Sequence, residues 1–477
     1  MGLVGGAQNV ERRAVLTVIL VVVIVVVAAA ISYVLLFPSS STSPPPPSGP
    51  AVCSASGGNT TAGNWTTYHQ NNVRTGEEAG AAVSAVHTEW SGPTAVDADV
   101  YAEPLVCGNT VYVATEENTV YAINATTGAI IWHTHLGTPV TSSTLPCGDI
   151  GPTTGITGTP VIDVATKTLY AVAFLSTNQH VLFGINVLNG SVESQVVVDG
   201  PGSTSTVEQQ RGALTLANGY VYVVYGGLDG DCGNYHGWVV GAPVSGSGPL
   251  VSYQVPTHRE GGIWGTAGTG VAANGDLYVA TGNGDSTTTF DHGDSVIELS
   301  PTLTELGYFA PTNWAQLNSG DADLGSVAPT VLPNGDVFQI GKSGEGYLLS
   351  GTNLGGIGGQ IDNISVCGAA YGGTAHVGMS IFVPCTDGVF DVLAGASSLS
   401  VVWQSSTSFD AGSPIVTGNV VWSVDIPNAK LLGFNISTGA QVFSFSIGST
   451  DHFISPAAAP GNLYVAGGDQ VYAFSLT

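Results

Sequence analysis

The chain has 477 residues, of which 8 are Lys or Arg and 34 are Asp or Glu, giving a formal charge of -26 and a pI near 4.3. Charged residues total 9%, against roughly 25% in ordinary soluble domains. So few cations leave no basic footprint for nucleic acid, and 43% hydrophobic residues exclude a charge-rich disordered chain.

Residues 1–13 end in Arg12-Arg13, and residues 14–37 form an uncharged run of 24 rich in Val, Ile, Leu and Ala. As a helix at about 1.5 Å per residue this run spans about 36 Å, enough to cross a bilayer. No Lys or Arg follows until Arg74, so the positive-inside bias predicts a single-pass membrane protein with its body outside the cell. The run exceeds a secretory apolar core of about 7–15 residues, which favours a retained anchor over a cleaved signal. A third reading is that Glu11-Arg12-Arg13-Ala14 resembles the processing site of archaeal type IV pilin-like signals, whose apolar helix survives to pack in a filament. Residues 38–63, with Ser39 to Ser43 and Pro44 to Pro47, read as a semi-rigid polyproline II stalk.

Sequons at Asn59, Asn64, Asn124, Asn189, Asn363 and Asn435 become glycan sites if the body is external. Six cysteines (Cys53, Cys107, Cys147, Cys232, Cys367, Cys385) fit the same oxidising exterior, and none forms a C-x-x-C pair. Their connectivity is open, and buried thiols are an alternative. The expected pairs are Cys367 with Cys385, within one repeat, and Cys107 with Cys147.

From residue 64 to 477 one pattern recurs: an aliphatic residue and then an aromatic inside a short apolar strand. The aromatics are Tyr112, Tyr170, Tyr222, Tyr278, Phe338, Phe382, Trp422 and Tyr464, between 40 and 60 residues apart. Gly and Asn just before several of them supply the positive φ that tight turns need. The fullest unit carries strands around Val111-Tyr112-Val113-Ala114, Thr119 to Asn124 and Ala129 to Trp132. A unit of about four short strands at this period is a propeller blade, so the pattern predicts an all-β, eight-bladed β-propeller. The last unit stops 13 residues after Tyr464, short of an outer strand. His87-Thr88-Glu89-Trp90 matches the outer strands ending in Trp132 and Trp403, so an N-terminal strand is expected to close the ring.

The unit Val120-Tyr121-Ala122-Ile123-Asn124, Thr127-Gly128 and Trp132 resembles the blade repeat of the PQQ-repeat, quinoprotein alcohol dehydrogenase-like propellers. The lead-in Trp65-Thr66-Thr67-Tyr68-His69 with Arg74-Thr75-Gly76 is similar to the segment that opens many of them. In the catalytic branch of that family, the resemblance implies a quinone-stacking Trp264, a Ca²⁺ ligand at Asn283 and a catalytic base in Asp321 or Asp323. Asp323 would also approach the metal, and Lys342 would touch the quinone oxygens. The adjacent Cys-Cys pair, the acidic Ca²⁺ ligand and the C-x-x-C-H haem segment have no counterpart here.

The chemistry gives its own reasons for these residues. A flat tricarboxylate quinone needs an aromatic face, cations for its carboxylates and a Lewis acid or cation beside its reactive carbonyl. An aspartate must take the hydroxyl proton of the substrate. Outside the proposed anchor only Arg74, Lys167, Arg211, Arg259, Lys342 and Lys430 remain as cations. Arg211, Arg259 and Lys342 fall in the middle blades, where an anionic ligand such as PQQ would account for them. The bland alternative pairs each with a carboxylate between blades.

Two functions follow. The first is a non-enzymatic surface protein that binds glycans, peptides or neighbouring copies in a surface layer or filament. The second is a PQQ- and Ca²⁺-dependent dehydrogenase of an external alcohol or sugar. Scarcity of Lys and Arg also fits an acidic medium, in which carboxylates are protonated and a Lys-rich surface would repel itself.

Overall fold

The computed structural model describes Cys53 and residues 63–477. The apolar run, most of the Pro/Ser-rich stretch and the Asn59 sequon lie outside the described residues. Among the described residues, no helix is long and apolar enough to cross a membrane.

Eight antiparallel sheets follow one another along the chain, which makes the eight-bladed propeller. Blade 1 shows the plan: Leu105–Cys107 is innermost, then Thr110–Ala114, Thr119–Asn124 and Ile130–His135 outermost. Each repeat aromatic sits in the second strand of its blade and is buried there, between apolar neighbours of the adjoining sheet. The outer strands are mostly exposed, which is why the repeat weakens toward the rim.

Trp residues of the outer strands lock three blades to the next ones, blade 8 to 1, blade 1 to 2 and blade 6 to 7. Trp90, Trp132 and Trp403 donate through Nε1 to the carbonyls of Ala125, Val187 and Ile436. Their rings lie on Gly128, Gly190 and Gly439, each with positive φ and no room for a Cβ. The Thr-Gly and Asn-Gly turns in the repeat are therefore docking surfaces as well as turns.

The ring closes as expected. Blade 8 contributes Ala457–Ala459, Asn462–Gly467 and Gln470–Leu476, and Val86–Thr88 pairs with the last of these as outer strand. The lead-in from Trp65 to Glu78 threads the axis. It exchanges backbone hydrogen bonds with Val106, Ile162, Val271, His376 and Val416, in blades 1, 2, 4, 6 and 7. Side chains complete the circuit. Arg74 reaches Thr215 of blade 3, Tyr68 packs with Ala328 before blade 5, and His69 meets Ser455 before blade 8. This segment ties together all eight blades, which gives its Trp, Tyr, His and Arg a structural role.

The disulfides are Cys53–Cys107, Cys147–Cys232 and Cys367–Cys385. Cys367–Cys385 is as expected; the pairing of Cys107 with Cys147 is not. Cys107 ends an innermost strand, at the turn side of blade 1, whereas Cys147 lies in the connection from blade 1 to blade 2. Alternating strand directions put those two positions on opposite faces of the propeller. Cys232, between the second and third strands of blade 3, shares the face of Cys147. No described cysteine is a free thiol. Asn189 and Asn363 are exposed and Asn64, Asn124 and Asn435 are half-buried.

Candidate functional site

The loops that join second to third strands, and blade to blade, converge on one face around a cavity of about 590 Å³. Its lining comes from six blade connections, which carry Asp149 and Ile150, Gln209 and Arg211, Trp264, Asp321 and Asp323, Tyr371, and His452 with Phe453. The strand-to-strand loops carrying Asp231, Asn283 and Lys342 complete it. The propeller topology thus brings together Trp264, Asn283, Asp321, Asp323, Lys342 and Arg211. Arg259 is the exception. It pairs with the adjacent Glu260 and donates through Nη2 to the carbonyl of Asp231 at 3.0 Å, outside the cavity wall, so it is not available as a cofactor ligand there.

Asp323 is the centre of the cluster and is 4% exposed. Its Oδ1 accepts the backbone N–H of Asn283 at 2.9 Å. Its Oδ2 accepts Trp264 Nε1 at 3.2 Å and Lys342 Nζ at 2.9 Å. Lys342 also reaches Asp321 Oδ1 at 2.9 Å, and its ammonium stands 5.4 Å from the Trp264 ring centre. Burial pushes the Asp323 carboxyl upward despite the opposing pull of Lys342 and the Asn283 N–H. For Lys342, burial works against the charge, but the two aspartates outweigh it and hold it protonated. Close by, Asp294 is pushed well above the carboxylate range by burial; its Oδ1 accepts the N–H of Leu324, fixing the loop that carries Asp323.

Three aromatics of the cavity wall lie together. Tyr371 and Phe453 stack at 5.4 Å and 9°, and their centres lie 6.4 Å and 6.0 Å from Trp264. Phe453 holds a positive φ of 63°, uncommon for a bulky residue and a mark of a constrained site. Tyr371, Phe453, His452 and Asp149 went unpredicted because they sit in connections that carry no repeat register. Gln209, next to Gln210-Arg211, was visible in the sequence only as a polar neighbour.

A planar polycarboxylate quinone fits this lining chemically. Trp264 with its aromatic neighbours provides faces, Lys342 and Arg211 provide cations, and Asp323 is an acid–base group among them. A Ca²⁺ cage is incomplete. Asn283 engages Asp323 through its backbone, its side-chain amide lies 3.5 Å from Glu260, and Lys342 occupies the carboxylate face a metal would need. Among the described residues, three acidic or sulfur groups within metal-binding reach occur only at Cys367, Cys385 and Asp387, where both sulfurs are in a disulfide.

A family model described as outer membrane protein assembly factor BamB matches residues 61–227. No curated protein sequence matches the chain. Among solved structures, a quinohemoprotein alcohol dehydrogenase from Pseudomonas putida is similar with a TM-score of 0.67 and 13% identity, over 87% of this chain and 80% of that one. The quinohemoprotein alcohol dehydrogenase of Comamonas testosteroni gives 0.65 and 15%, over 87% and 81%. BamB from Moraxella catarrhalis gives 0.55 and 12%, over 83% and 98%. At these identities the likeness is one of fold.

Proposed function

Because the chain is an eight-bladed β-propeller of the PQQ-repeat kind, we propose that its cavity binds a planar quinone cofactor, PQQ, and that the protein oxidises an external alcohol or sugar. The observation that carries this reading is convergence. Trp264, Asn283, Asp323 and Lys342, from four loops of three blade regions, meet in one hydrogen-bonded cluster on a cavity wall. PQQ, when bound, would supply a two-electron quinone acceptor for the hydrogen on the carbinol carbon.

The chain's own residues do the rest. Trp264, Tyr371 and Phe453 offer the stacking faces and exclude water from them. Lys342 supplies the positive charge beside Asp323 that a metal would supply in a caged site. Asp323, in its charged form, takes the hydroxyl proton of the alcohol. Asn283 N–H and Trp264 Nε1 fix the direction of its lone pairs. The sequence has no C-x-x-C-H haem segment, so electrons would leave to a separate acceptor.

A second reading, a non-enzymatic surface protein that binds glycans, peptides or neighbouring copies, is favoured by one observation: both Asp323 oxygens are already held by protein donors. In either reading we place the propeller outside the cell membrane, on the N-terminal apolar run, with three disulfides suited to an oxidising compartment. Titration with PQQ, followed by quenching of Trp fluorescence and then by dye reduction with alcohols and sugars, separates the two. The enzyme reading expects micromolar binding, lost in Trp264→Ala, and turnover lost in Asp323→Asn with binding kept. Absence of PQQ binding at micromolar concentration overturns it.

A further inference from the structure

The same cavity holds a second cluster, centred on Arg211, that makes no contact with Asp323 or Lys342. Arg211 is 6% exposed, lines the cavity, and makes one hydrogen bond, Nη2 to the carbonyl of His452 at 3.1 Å. Its Nε has no partner, and among the described residues it makes no ion pair. Gln209, two positions earlier, is 8% exposed, lines the same cavity, and its Nε2 has no partner. Both come from the one connection that leads into blade 3, at and just past the end of strand Glu208–Gln209. The residue between them, Gln210, turns aside and donates to the carbonyl of Gly212.

Both orphaned groups are donors, and a buried donor without an acceptor is destabilising. Arg74 is also buried with an unpartnered Nε, but its Nη atoms bond Thr67, Tyr68 and Thr215, whereas Arg211 makes one hydrogen bond and faces the cavity, where an acceptor with negative charge would fit. Glu116 and Asp451 are near enough to feel the guanidinium, but neither pairs with it: Glu116 gives Oε2 to the N–H of Gly155, Glu116 Oε1 and Asp451 Oδ2 have no partner, and burial raises the two carboxyls to about 7 and about 6, which lessens their charge beside an incoming anion. The guanidinium lies over two rings, Tyr101 at 5.6 Å and Phe453 at 6.0 Å. Phe453 is also 6.0 Å from Trp264, so it neighbours both Arg211 and a member of the Asp323 cluster. Lys342, by contrast, has Asp321 and Asp323 as partners and no need of a third.

We propose that Arg211 and Gln209 form a carboxylate subsite, and that the substrate is therefore a hydroxy acid of the sugar-acid kind, its carboxylate on Arg211 and its hydroxyl toward Asp323. The oxidation itself rests on the dehydrogenase reading; the carboxylate subsite does not. A planar guanidinium and an amide N–H match the two oxygens of a carboxylate and offer nothing comparable to a neutral polyol.

The test uses the full chain without cofactor, titrated calorimetrically with gluconate and with sorbitol as its uncharged counterpart. Gluconate is expected to bind and sorbitol to bind at least tenfold more weakly. Arg211→Met should lower gluconate affinity about 10- to 100-fold, in line with a charge-assisted hydrogen bond. Gln209→Met, which removes one neutral donor and keeps the charge, should lower it several-fold, so the subsite remains testable if the Arg211 variant misfolds. Equal binding of sorbitol, or gluconate binding indifferent to both substitutions, overturns the proposal. PQQ added to the gluconate-saturated protein should bind as it does to the free protein. Competition between them would assign Arg211 to a cofactor carboxylate and overturn the substrate assignment. Gluconate binding without any PQQ binding would remove the dehydrogenase reading and leave the subsite standing.

Discussion

Removing the ammonium beside Asp323 by Lys342→Met should make stability depend on pH in a way the native protein does not. Asp323 is 4% exposed, and its Lys342 contact at 2.9 Å is its one cationic partner in an ion pair. Breaking such a pair leaves a buried charge and costs about 3–5 kcal/mol. The variant can escape by protonating Asp323. From an unfolded carboxyl near 3.9, that costs about 1.36 kcal/mol per pH unit, so about 4 kcal/mol at pH 7 and almost nothing at pH 4. Burial already raises this carboxyl with Lys342 present, and the variant raises it further. A carboxyl raised in the folded state favours folding at low pH and loses that benefit as pH rises above its unfolded value. Urea unfolding should therefore show the variant about 3–4 kcal/mol less stable than the native protein at pH 7 and within about 1 kcal/mol at pH 4. Adding Asp323→Asn should recover most of the pH 7 loss. Equal destabilisation at both pH values, or no recovery in the double variant, would refute a buried ion pair at this position.

Three further outcomes follow from the geometry. In Gly190→Ala the new Cβ would meet the Trp132 ring at 2.7 Å from a backbone with φ of 73°, so thermal melting should report a loss of about 1–3 kcal/mol. Cys147–Cys232 closes a separation of 85 residues, worth about 4.5 kcal/mol in the chain-entropy account, and ties the loops carrying Asp149 and Asp231. Replacing both cysteines by Ser should lower the melting temperature and weaken gluconate binding, whereas intact binding would free the cavity from that constraint. Burial raises Glu116 to about 7 and Glu208 to about 8. Both folded values exceed the unfolded ones, so these groups favour folding in acid, and their contribution is lost as pH rises from about 4.5 through 7 and 8. Denaturant midpoints should rise on acidification from pH 8 to 5. A fall over that range would contradict both this account and the proposal of an acidic medium.

Much of the fold was legible in the chain because a blade is a local object. The aliphatic-aromatic pair, the Asn and Gly turns, and the Trp that ends an outer strand all act within one blade or on the next, so they recur at a readable period. Blade count and ring closure followed from that period, and Val86–Thr88 took the edge that the sequence left vacant. The cluster of Trp264, Asn283, Asp323 and Lys342 was legible only as a resemblance to a family. Their convergence depends on the propeller bringing non-repeating connections to one face. The same dependence explains what the sequence missed. Pairing Cys107 with Cys147 ignored that alternating strands separate them to opposite faces, where Cys232 becomes the neighbour of Cys147. Composition established that this chain keeps very few cations. Tertiary structure decided what each does, since only the packing shows that Arg74 ties blades together, Lys342 is spent on two aspartates, and Arg211 is buried with donors to spare.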